Sequence, residues 1–190
     1  MAVFTQIRWH GRGGQGAVTA SELLAEAALH ESKHLQAFPD YGAERMGAPI
    51  RAFTRVSDSI IRQHCQISDP DVVVVLDSTL IDIVDPTQGL KDGGIVVVNT
   101  PLPPGELRRK LDLKDGRVFT VDATRIALDT IGRNIPNTPI LGALVRATGV
   151  VDKRSAIDVI RHHFSSKVSS KAADANVVAF ERAYDEVKED

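Results

Sequence analysis

Two valine-rich runs, PDVVVVLD at residues 70–77 and GGIVVVNT at residues 93–100, limit what this chain can fold into. Each is a continuous apolar segment bounded by Pro, Asp or Gly, too short for a helix of ordinary length and lacking the polar alternation of a half-exposed strand. Such runs suit central strands of a parallel sheet that is covered on both faces. A parallel pair requires a crossover, and STLIDIVDPTQGLKDG between the runs supplies one, with a short helix predicted around Leu80 to Val84.

The flanking sequence continues this alternation. A first strand is predicted over Val3 to Trp9, with Val3, Thr5, Ile7 and Trp9 on one face and Phe4, Gln6 and Arg8 on the other. In GAVTASELLAEAALH, residues Ala20, Leu23, Leu24, Ala27 and Ala28 repeat at the spacing of an amphipathic helix. KHLQAF predicts a second strand stopped by Pro39. RAFTRVS alternates, with Ile50, Ala52, Thr54 and Val56 opposite Arg51, Phe53 and Arg55, which suits a strand half exposed or set against a partner. RVFTVD followed by ATRIALDTIG is one more strand and helix, and TPILGALVRATG and DKRSAIDVIRHHF are helical, the latter starting at an Asp152 cap. From about Lys171, Ala173, Val177, Phe180, Tyr184 and Val187 form a narrow apolar seam that packs either on the chain's own core or on another chain. The expected fold is α/β: one domain over residues 1–190, a mostly parallel sheet flanked by helices, and a helical C-terminal segment.

Between the first strand and first helix lies HGRGGQG. Gly11, Gly13 and Gly16 fit G-x-G-x-x-G, whose glycines permit a tight turn, close approach of the backbone to a pyrophosphate, and close helix–strand packing. The helix N-terminus adds N–H groups and a positive dipole end. The rest of a dinucleotide fingerprint is weak. The acid that should close the second strand is missing there: Glu31 precedes that strand and Asp40 follows it. Gly14 and Gln15 stand where a nicotinamide enzyme usually has small or apolar residues. Two readings remain open. In one, the glycines only let helix and strand pack; in the other, Arg12 and Gln15 project from the sheet edge toward whatever lies opposite. Arg45, Arg51 and Arg55 lie within eleven residues of one another. They form either a phosphate or carboxylate clamp or a charged face with partners in the chain.

Composition narrows the remaining classes. The net charge of -2 gives no global pull toward nucleic acid or an anionic membrane, and no segment approaches the roughly 20 apolar residues of a membrane span. The single cysteine, Cys65, excludes an internal disulfide and a cysteine-based cluster site, and suits a cytoplasmic protein. It reads as a small hydrophobe rather than a reactive thiol. The six histidines show no metal-ligand spacing, and His162 and His163 read as decoration on an exposed helix turn. Asp77 and Asp122 end apolar strands, where each serves either as a site acid or as a cap. No proton-transfer pair stands out, so no catalytic residue and no metal ligand is assigned.

RWHGRGGQGAVTASELLAEAA, LQAFPDYGAERMGAPIRAFTRVS, PDVVVVLD, GGIVVVNT, the VDAT segment and NTPILGAL together resemble the gamma subunits of pyruvate:ferredoxin oxidoreductases (pyruvate synthases), in the 2-oxoacid:acceptor oxidoreductase family. The resemblance runs to about residue 150, and the pairing of GRGGQG with FPDYGAERMGAP is its most specific part. It implies a subunit inactive alone, assembled with alpha, beta and delta subunits. The complex oxidatively decarboxylates pyruvate with coenzyme A to acetyl-CoA and CO2 and reduces ferredoxin. Thiamine diphosphate lies between alpha and beta, and [4Fe-4S] clusters lie in beta and delta. On this resemblance Gly11, Arg12, Gly13, Gly14, Gln15 and Gly16 face a partner near the active cleft, with Arg45 or Arg51 receiving the phosphates of coenzyme A. Relatives acting on 2-oxoglutarate, branched 2-oxoacids or indolepyruvate share the glycine loop. A stand-alone nucleotide-binding module is a further reading. Strand 50–56 and the C-terminal helix are the expected docking faces.

Overall fold

The computed structural model describes residues 4–40 and 46–190. Seven strands form one mixed sheet in the order β2-β3-β1-β4-β5-β6-β7. Its centre is parallel: β1 (Phe4–Arg12), β4 (Val72–Val75), β5 (Ile95–Asn99) and β6 (Arg117–Val121) pair in succession. The valines of β4 and Val96 to Val98 of β5 are buried, as strands covered on both faces require. The wings are antiparallel. β3 (Pro49–Ser57) pairs β1, β2 (His34–Asp40) pairs β3 at one edge, and β7 (Lys188–Glu189) pairs β6 at the other.

The helices divide unequally between the faces. The larger core joins Ile7, Trp9, Val74, Val97 and Phe119 to α1 (Ala17–His30), α3 (Ala123–Thr130), α4 (Asn137–Thr148), α5 (Lys153–Lys167) and α6 (Ser170–Glu186). The opposite face buries Val73, Val75, Val96, Val98 and Val118 against Leu107 of the short helix α2 (Pro104–Lys110) and against Ile81 and Leu90 of the β4–β5 crossover. In α1, Ala20, Leu23, Leu24, Ala27 and Ala28 are all buried, on the stripe their spacing predicts. The α6 seam resolves toward the chain's own core, with Ala173, Val177 and Phe180 buried against α4.

Several boundaries differ from the sequence reading. β1 runs to Arg12, because Gly11 and Arg12 pair with Ile50 and Pro49 of β3; Val3 lies outside the described residues. β2 continues through Pro39, opposite Ala52, because an edge strand tolerates a residue without an N–H. The crossover after β4 holds a 3-10 helix at Ser78–Asp82 in place of the helix expected at Leu80 to Val84. α2 has no counterpart in the expected elements; its Pro104 occupies a first-turn position where the fixed φ suits a helix. β3 is not half exposed, since Phe53 and Arg55 are as buried as Ala52 and Thr54. The apolar seam of α6 is buried, while Val178 on its outer side is exposed, and the other large exposed apolar side chains include Met46, Val168, Ile60 and Leu29.

Candidate functional site

The crossover after β1 passes to the α1 face, whereas the one after β4 passes to the opposite face, so the chain diverges between the carboxyl ends of these neighbouring strands. Open α/β sheets bind ligands at such a switch point. HGRGGQG sits there.

The loop is built from tight turns and borrowed carbonyls. Gly13 N–H donates to Ala48 O at 3.0 Å, Gly47 N–H donates to Gly13 O at 3.1 Å, and Arg12 N–H donates to Gln15 Oε1 at 2.8 Å. Gly14 and Gly16 have φ of 95° and 80°, in the left-handed region that favours glycine. Gly16 has a second constraint: a Cβ there would lie 2.8 Å from Asn137 Nδ2, so the start of α4 abuts the loop. The N–H groups of Ala17, Val18 and Thr19 precede the first i to i−4 bond of α1, from Ala20 N to Gly16 O. They open on a cleft of about 540 Å³ lined by Gly13, Gly14 and Gly16 together with Met46 and Ile50.

Of the two readings left open, the outward projection of Arg12 and Gln15 is replaced by partners within the chain. Arg12 donates from Nε to Asp77 Oδ2 at 3.0 Å, from Nη1 to Gly47 O at 3.1 Å and from Nη2 to Thr79 Oγ1 at 2.9 Å. Gln15 Nε2 donates to the same Asp77 oxygen at 2.8 Å. Asp77 therefore joins the ends of β1 and β4, and it also caps the 3-10 helix through Thr79 N–H. Partial burial raises the pKa of this carboxyl, but hydrogen bonds from Thr79 and Gln15 and the charge of Arg12 outweigh that, leaving it below the ordinary carboxylate value. Asp122 is the N-cap of α3, accepting from Arg125 N–H at 3.0 Å.

The arginine cluster divides. Arg45 lies outside the described residues. Arg51 is paired with Asp40 Oδ2, 2.6 Å from Nη2, on the sheet face opposite α1. Arg55, 1% exposed, donates to Gln6 Oε1, Gln36 Oε1 and the carbonyl of Cys65, so it is a structural residue with partners in the chain. Cys65 is exposed rather than packed as a hydrophobe. His162 is exposed and His163 half-buried, its ring edge-on to Phe164. Among the described residues no group of three or more His, Cys, Asp and Glu is placed to hold a metal ion.

Sequence reasoning passed over two buried polar residues, Arg8 and His10, on the same sheet face as Arg51. Arg8 reaches the carbonyls of Ser68, Pro86 and Gln88 and donates from Nε to His10 Nε2 at 3.2 Å. Burial, then the charges of Arg8 and Arg51, bring the His10 pKa down to about 3 against the pull of Asp85, so the ring is neutral at physiological pH.

These features define an open-sheet α/β protein with a glycine-loop cleft at its switch point. The pyruvate ferredoxin/flavodoxin oxidoreductase family model matches residues 6–186, and the chain belongs to that family. It is 54% identical over 177 residues, 93% of its length and 96% of the relative's, to the pyruvate/ketoisovalerate oxidoreductases common subunit gamma of Thermococcus kodakarensis. Among solved structures it resembles the pyruvate oxidoreductase subunit PORC of Thermotoga maritima, at 47% identity and a TM-score of 0.87 with 98% of each chain covered. The keto/oxoacid ferredoxin oxidoreductase gamma subunit of Geobacter sulfurreducens is similar at 27% identity and a TM-score of 0.77, covering 97% of this chain and 96% of that one. The chain is a gamma-type oxidoreductase subunit of this family. No helix among the described residues is long and apolar enough to cross a membrane.

Proposed function

We propose that residues 1–190 act as one gamma-type domain in a cytoplasmic pyruvate:ferredoxin oxidoreductase, joined by alpha, beta and delta subunits. That complex converts pyruvate and coenzyme A to acetyl-CoA and CO2 and passes the electrons to ferredoxin. Thiamine diphosphate and the [4Fe-4S] clusters belong to the other subunits in this reading. One observation carries this chain's part in it: the first-turn N–H groups of α1 open on the glycine-lined cleft, with Arg12 fixed beside it by Asp77. Free N–H groups at a helix start suit phosphate oxygens. We assign the phosphates of coenzyme A to the Gly11 to Gly16 loop and Arg45, while Arg51, committed to Asp40 on the other face, has the lesser part. One observation favours a second substrate class, since the Thermococcus kodakarensis relative is named as common to pyruvate and ketoisovalerate enzymes.

In the reconstituted complex, Arg12→Ala and Arg45→Ala are each expected to raise the KM for coenzyme A about tenfold, the scale of one charge-assisted hydrogen bond, with assembly intact. Arg12→Ala also leaves Asp77 without its cation, which adds repulsion toward phosphate. A KM unchanged in both variants overturns the assignment.

A further inference from the structure

On the sheet face away from α1, a cleft of about 380 Å³ lies between His10, Arg51 and the β4–β5 crossover. Its mouth carries Arg51, and the apolar residues Pro49, Leu80 and Val84 are among those that line it. His10 is 6% exposed. Because Arg8 Nε–H donates to His10 Nε2, that nitrogen holds a lone pair, and the proton of the neutral ring is on Nδ1. No described residue accepts from Nδ1–H, yet no polar side-chain atom is both fully buried and unpartnered. The remaining exposure of the ring opens on the cleft that it lines.

We propose that this cleft binds a short-chain monocarboxylate, its carboxylate taken by His10 Nδ1–H and the Arg51 guanidinium and its alkyl part lying against Leu80 and Val84. The donor is fixed: Arg8 sets the tautomer and is itself held by the carbonyls of Pro86 and Gln88. Two cations, Arg8 and Arg51, line the cleft with two acids, and both acids have partners: Asp40 is paired with Arg51 and Asp85 accepts from Thr87 N–H and Oγ1. A site of this size, part polar and part apolar with a few convergent donors, suits a small amphipathic ligand. The coenzyme A assignment rests on the glycine loop at the other side of β1, and Arg51, which has only the lesser part there, is the one side chain with a part in both assignments.

The test is a butyrate titration of the 15N-labelled full chain, followed at the His10 imidazole resonances, with butyramide and inorganic phosphate as comparison probes. Saturable shifts at His10 with butyrate are expected. Butyramide, lacking charge, and phosphate, lacking the alkyl part, should each bind at least about tenfold more weakly, and Arg51→Met should weaken butyrate about tenfold. Arg51 is at the exposed mouth, so this variant retains the fold, which the backbone spectrum verifies. No saturable shift at His10, butyramide or phosphate binding as tightly as butyrate, or undiminished binding by Arg51→Met would each overturn the proposal.

Discussion

Gly142→Ala is expected to destabilise the protein by about 3 kcal/mol and to lower its thermal midpoint by about 10 °C. The residue lies where α4 crosses α6, and a Cβ at this position would stand 2.2 Å from Phe180 O and 3.2 Å from Tyr184 N. Both are backbone atoms of α6, so no rotamer relieves the overlap and the two helices must move apart. Ile140, Leu144 and Phe180, all buried at the crossing, lose packing as they separate. The gain in helix propensity from glycine to alanine, about 1 kcal/mol, offsets only part of this. Gly105→Ala is the control: it is also helical, has no atom within 4 Å of its added Cβ, and should change stability by less than about 1 kcal/mol. Calorimetry of both variants checks the expectation.

A second large effect is expected from acid. His10 titrates near 6.5 when unfolded and at about 3 when folded, so between these values the unfolded chain binds the extra proton. The stability it contributes is complete above pH 6.5 and is lost as the pH falls toward 3. Between pH 6.5 and pH 4 the unfolding free energy should drop by about 3 kcal/mol. His163, whose pKa is also lowered, first by burial and then by Lys167, adds to the same window. Glu31 and Asp77, held below their ordinary carboxylate values against the opposing effect of burial, act only at lower pH. His10→Gln keeps a neutral acceptor for Arg8 and should remove most of the slope between pH 6.5 and 4.5. Denaturant unfolding at a series of pH values measures this, and an unchanged slope in the variant contradicts the assignment to His10.

The difference between what could and could not be read from the chain has a physical basis. The valine runs and the α1 stripe are legible because burial on two faces or on one stripe imposes a local pattern. Arg55 is not, because alternation in RAFTRVS marks it as an outward residue, and its burial depends on a carbonyl at Cys65 that the following loop brings over it. The glycine loop shows itself in the spacing of Gly11, Gly13 and Gly16, but its polar partner Asp77 is 65 residues from Arg12 and enters only through the pairing of β1 with β4. Arg8 and His10 sit in an alternating strand like any polar pair. Their role arises from Pro86 and Gln88, which the crossover places against them from about 80 residues away. The resemblance carried by GRGGQG and FPDYGAERMGAP identified the family through residues whose geometry the sequence does not display.

The central claim is that this chain works as one subunit of a 2-oxoacid oxidoreductase. Affinity purification of the tagged chain from its native host, carried out anaerobically, tests it most directly. The expected product is a brown complex in which further chains accompany this one and pyruvate oxidation depends on coenzyme A and reduces ferredoxin. A colourless, stable monomer that binds NAD would contradict the account.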